Sequence, residues 1–189
     1  MSQFEQSPSQ TIGPFFRNAL IEMTADQNNL INENTAGQKI IITGLVMDGG
    51  NQPIIDSMVE IWQADANGYF NHPADPNRAK ADPAFSGHGR SEAVNGGRYT
   101  FTTIKPGIIP GTVTPYINLR FFARGMLIHA ISRIYFSDEA ENDNDEILNS
   151  VPAERRHTLI AQLDPAQPIP TYRFDLNMQG ENETVFFNP

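Results

Sequence analysis

Cysteine is absent from this chain. Disulfide frameworks, thiolate nucleophiles, cysteine-based zinc sites and iron–sulfur clusters are therefore excluded together. Lysine is nearly absent too, with three in 189 residues, and the 22 acidic side chains outnumber the 13 basic ones to leave a net charge of −9. Nucleic-acid and anionic-membrane surfaces need clustered Lys and Arg, so neither partner is expected. Long apolar runs are missing as well. The longest, 39–47, is interrupted by Thr43 and Gly44 and falls well short of the roughly 20 residues a membrane span requires. Residues 1–10 hold neither the basic nor the apolar stretch of a secretory signal, so a cytoplasmic location is expected. The four histidines, His72, His88, His129 and His157, show no paired metal-ligand spacing, and no nucleophile elbow, phosphate loop or dinucleotide fingerprint occurs.

What is present is a strand-rich pattern. Fourteen Gly and fourteen Pro punctuate a chain that is 39% hydrophobic, which is too apolar for disorder. Residues 39–47, 58–63, 98–104, 116–123, 128–136, 171–178 and 183–187 are rich in β-branched and aromatic residues and bounded by turn formers, so seven strands are predicted. Ile117, Leu119 and Phe121 alternate with Tyr116, Asn118 and Arg120, as a half-buried sheet requires. These signals predict an all-β chain, a two-sheet antiparallel β-sandwich with long loops and one short helix. The helix is placed near 152–163, from Pro152 in its first turn and the stripe of Leu159, Ile160 and Leu163. Residues 1–189 are read as one domain, with 1–38 an extended N-terminal segment suited to a partner chain. The run 138–146 carries six acids and reads as a solvated loop, since it lacks the glycine and closing glutamate of a calcium loop.

Several polar residues stand out as candidates. Arg133 lies in an otherwise apolar strand, where a guanidinium meets either a carboxylate of the protein or an anionic ligand. Arg120 and Arg124 share that ambiguity, and Arg90 follows a small-residue run whose loop it could orient. In the segment 9–16, Thr11 offers a hydroxyl, while Gly13 and Pro14 set a tight extended turn that is either a site element or a lead into packing aromatics.

The block from Gly44 through Trp62 to Tyr69 resembles the intradiol ring-cleavage dioxygenases. Asp82-Pro-Ala-Phe85, Tyr99 to Gly107, Phe122-Ala-Arg-Gly125, Arg133-Ile-Tyr-Phe136 and Tyr172-Arg-Phe-Asp175 follow in the same order. The likeness extends from about Ser9 to Phe187. It implies a family in which the catalytic chain holds a non-haem Fe(III) with two Tyr and two His, donors suited to that ion. At the four matching positions this sequence has Asn77, Ile109, Tyr116 and Asn118. The resemblance thus implies an iron-free alpha subunit, with Fe(III) carried by a homologous iron-bearing beta subunit, in a higher oligomer of alpha–beta units. It also implies that Arg133, Thr11, Gly13 and Pro14 bind a small aromatic substrate at the shared pocket, that this chain supplies no catalytic or metal residue by itself, and that it is inactive alone. The competing expectation is a non-catalytic β-sandwich that binds or scaffolds.

Overall fold

The computed structural model describes Thr11, residues 27–93 and residues 95–188. Nine strands form among the described residues: β1 (Lys39–Met47), β2 (Ser57–Trp62), β3 (His88–Glu92), β4 (Arg98–Ile104), β5 (Ile117–Ala123), β6 (Ala130–Phe136), β7 (Ile160–Asp164), β8 (Thr171–Arg173) and β9 (Leu176–Asn177). They join in one sheet of order β3-β2-β5-β6-β7-β8-β1-β4, with β9 alongside β1. The all-β expectation holds, but a single wrapping path stands where two separate antiparallel sheets were expected. Three pairings are parallel, β6 with β7, β1 with β8 and β1 with β9. Alternation of apolar residues reports which face is buried and carries no information on strand direction.

The wrap brings its two end strands together. Thr100 of β4 donates its backbone N–H to Ser91 Oγ of β3 at 3.1 Å. Residues 27–30 then bridge both edges: Arg90 N–H donates to the Gln27 carbonyl, Thr102 N–H to that of Asn28, and Leu30 N–H to that of Thr102. Residues 27–30 therefore lie on this chain's own sheet edges, satisfying backbone groups that would otherwise be open. Inside, Ile40, Ile42, Phe101, Leu119, Phe121 and Ile134 are fully buried and fill the core. A smaller apolar cluster gathers Tyr116, Tyr135, Leu148 and Leu159.

The helix expected at 152–163 is replaced. Ala153–Leu159 is a 3-10 turn and the chain then enters β7, while the only α-helix among the described residues is α1, Glu146–Ser150. Residues 138–146 also depart from a solvated loop. Asp138 and Glu139 pair with Lys105, Asn142 is buried, and Asp145 caps α1 by accepting the Leu148 N–H at 2.8 Å. The expected strand at 183–187 contributes a single bridge, Phe187 to Ile131, whereas β3 and β7 were not expected. Among the described residues no helix is long and apolar enough to cross a membrane.

Candidate functional site

The outer face of β3, β2, β5 and β6 gathers the polar side chains. Strand register sets them in rows: Arg90, Glu60, Arg120 and Ile131 in one, His88, Trp62, Asn118 and Arg133 in the next. Tyr116 and Tyr135 extend the face beyond Arg133. Alternation along each strand puts these residues on the same side by necessity, because residues two apart share a face.

Arg133 is held by aromatics. Its guanidinium lies 4.0 Å from the centre of the Tyr116 ring and donates a long hydrogen bond, 3.4 Å, to the Tyr135 hydroxyl. That hydroxyl in turn donates to Asp145 Oδ1 at 2.8 Å. Burial pushes the Tyr135 phenol well above its ordinary value; Asp145 adds to this, and the Arg133 guanidinium opposes it without prevailing. No carboxylate lies within ion-pair reach of Arg133 among the described residues. Among the described residues its contacts are therefore a ring and a hydroxyl, not an internal salt bridge.

The next row is paired more tightly. Glu60, with a side chain 11% exposed, accepts from Arg90 Nε at 2.8 Å and lies 3.4 Å from His88 Nε2 and 3.7 Å from Arg120. Burial alone would raise its carboxyl, but His88 and Arg90 outweigh this and hold it below the usual range. Arg90 thus serves Glu60 rather than orienting the preceding loop. Arg124 pairs with Asp56 at the surface, and His129 stacks on Phe122 just ahead of β6. Glu60, Arg90, Arg120, Trp62, His72 and His88 border a cleft of about 570 Å³. Sequence reasoning singled out Arg133 but not this cleft, because its members come from four separate segments and meet only through register.

Thr11 stands elsewhere. Its hydroxyl accepts from the Gly125 N–H at 2.7 Å, in the β5–β6 turn at the far end of both strands from the Asn118–Arg133 pair. Within this chain Thr11 and Arg133 are not brought together. Gly13 and Pro14 lie outside the described residues.

The residues around Arg133 do not fit a ferric ion. A phenol at Tyr116, an amide at Asn118 and the alkyl side chain of Ile109, which packs against the Tyr116 cluster, form a poor donor set, and the guanidinium over Tyr116 would repel a second cation. Among the described residues no group of three or more His, Asp or Glu could hold a metal.

The wrapped sheet defines a fold class, one that solved intradiol ring-cleavage dioxygenases share. The intradiol ring-cleavage dioxygenase of Tetranychus urticae superposes with a TM-score of 0.66 over 95% of this chain and 98% of that one, at 24% identity. The family profile described as Dioxygenase matches residues 11–117. The chain is 40% identical to the protocatechuate 3,4-dioxygenase alpha chain of Burkholderia cepacia, covering 100% of both, and 37% identical to the alpha chain of Pseudomonas putida, covering 97% of this chain and 96% of that one. It is also 32% identical to the B. cepacia beta chain, over 84% of this chain and 72% of that one. This chain belongs to the intradiol dioxygenase family.

Proposed function

We propose that this chain is the iron-free alpha subunit of a protocatechuate 3,4-dioxygenase, acting in aromatic catabolism with an iron-bearing beta subunit. The observation that carries the reading is Arg133, a guanidinium fixed on Tyr116 with no carboxylate partner among the described residues, in a chain that matches alpha chains along its whole length. The Fe(III) expected in the beta chain would supply the redox chemistry by which dioxygen opens protocatechuate between its hydroxyls to give 3-carboxy-cis,cis-muconate. This chain's part is to bind and orient. Arg133 is suited to the ring carboxylate, because a charge-assisted contact in a partly dry pocket favours a carboxylated ring over a neutral one. Thr11, Gly13 and Pro14 belong to the N-terminal segment assigned to the shared pocket. Thr11's distance from Arg133 means the two would serve that pocket from different sides of an assembled unit. Assembly as repeated alpha–beta units in the cytoplasm completes the reading.

Two measurements test it. Coexpression with the beta chain should give ring-cleaving activity with iron in proportion to beta alone, and stoichiometric iron in this chain purified by itself would sink the reading. In the complex, Arg133→Ala should raise KM for protocatechuate about tenfold to a hundredfold while changing that for catechol little, as expected for loss of one charged hydrogen-bonding contact. Equal losses on both substrates would assign Arg133 a structural role only.

A further inference from the structure

The cleft beside Arg133 has a chemistry of its own. Arg133 does not line it. Trp62 forms its aromatic wall and is held in one orientation: Phe70 stacks on the indole at 5.9 Å and 5°, His72 meets it edge-on at 5.6 Å, and His88 leans on it at 5.9 Å. Such a wall offers flat apolar area with little rotamer entropy left to lose on binding.

The charge around that wall is unusual for this molecule. Glu60 is the one carboxylate lining the cleft among the described residues, and Arg90 and His88 already occupy its Oε2. Arg120, 57% exposed, reaches only to 3.7 Å from Glu60 Oε1 and makes no closer ion pair among the described residues. Counting carboxylates and guanidiniums alone among the described lining residues, one carboxylate faces two guanidiniums, an excess of +1 in a chain whose total is −9. A guanidinium fork with only this long contact to Glu60 among the described residues, beside an ordered indole, matches a planar anion. The volume of about 570 Å³ falls in the range of small-molecule sites.

We propose that this cleft is a second ligand site of the chain, taking an aromatic ring that bears a carboxylate, the ring against Trp62 and the carboxylate on Arg120. It does not depend on the role given to Arg133.

Trp62 is the chain's only tryptophan, which supplies the readout. The intact complex, labelled with 5-fluorotryptophan and assigned through Trp62→Phe, is titrated with benzoate, which has ring and carboxylate but no vicinal hydroxyls to cleave. The Trp62 fluorine resonance should shift saturably, and Arg120→Ala should raise the apparent Kd about tenfold or more. Arg120→Lys, which keeps the charge and loses the fork, should fall between. Benzamide, with the ring but no charge, and adipate, with charge but no ring, should leave the resonance in place. A resonance that stays still with benzoate, moves equally with benzamide or adipate, or responds with an unchanged Kd in Arg120→Ala overturns the proposal.

Discussion

At the scale of single residues, the partners that hold Arg133 among the described residues are a hydroxyl and a ring. Tyr135 links it to Asp145, so the guanidinium is tied through one phenol to the cap of α1. Tyr135→Phe removes that link and leaves the buried Asp145 carboxylate with one donor fewer. Its expected effects are a loss of about 1–3 kcal/mol in urea unfolding and a rise in KM for the carboxylated substrate smaller than that of Arg133→Ala. A variant with wild-type KM and wild-type stability would contradict the link. Glu60 and Asp138 make a second prediction. Both are held below their reference values of 4.5 and 3.8, burial opposing and cationic partners prevailing, His88 and Arg90 for Glu60 and Lys105 for Asp138. Depressed folded values mean that their contribution is fully present above the unfolded values and is lost as pH falls through the folded ones. The urea midpoint should therefore hold from pH 7 to about 5 and drop below about 4.5, and Glu60→Gln should flatten part of that drop. A midpoint that declines equally in both proteins would place the acid sensitivity elsewhere.

At the scale of elements, the stretch that follows β2 behaves as a built structure. Asp65 is buried, and its carboxylate accepts N–H groups from Asn67, Tyr69 and Asp82 at 2.6 to 2.9 Å. Gly68 sits at φ +83°, where an added Cβ would come within 2.0 Å of the Ile108 carbonyl oxygen. Asp65→Ala should strand three donors and cost about 3 kcal/mol or more, seen as a fall of about 6–12 °C in Tm. An unchanged Tm would show that water replaces the carboxylate. The motif from Trp62 to Tyr69 was legible as a family signature, while its role as a scaffold was not, because its partners Asp82 and Gly107 are distant in sequence. Strands β1, β2, β4, β5 and β6 were readable from their apolar alternation. His88–Glu92 contains no β-branched or aromatic strand former, and its pairing with β2 imposes the extended state. Ile160 and Leu163 fit a helical stripe as well as a strand, and the pairings with β6 and β8 decide between them. Arg133 was visible as a charge in an apolar strand. Arg120 was visible in the same way, but its place beside Trp62, which carries no such local signal, was not, since that neighbourhood exists only once the strands are in register.

At the scale of the whole molecule, charge is sorted by region. Six of the acids fall in residues 138–146, while the outer face of β3, β2, β5 and β6 presents Arg90, Arg120 and Arg133 around Glu60. An acidic molecule can thus offer an anion a locally favourable approach, strongest at low salt. The same sheet order has a further consequence for biosynthesis. Strand β1 emerges early from the ribosome, yet Ile41 and Val46 lie beside Thr171 and Leu176, which are translated near the end. Until those residues appear, one side of β1 has no ladder to join, and the growing chain carries an unsatisfied strand edge through most of its synthesis. Completion of the barrel-like wrap is therefore a late, near post-translational event, and a ribosome stalled before Thr171 would release a chain prone to edge-to-edge association.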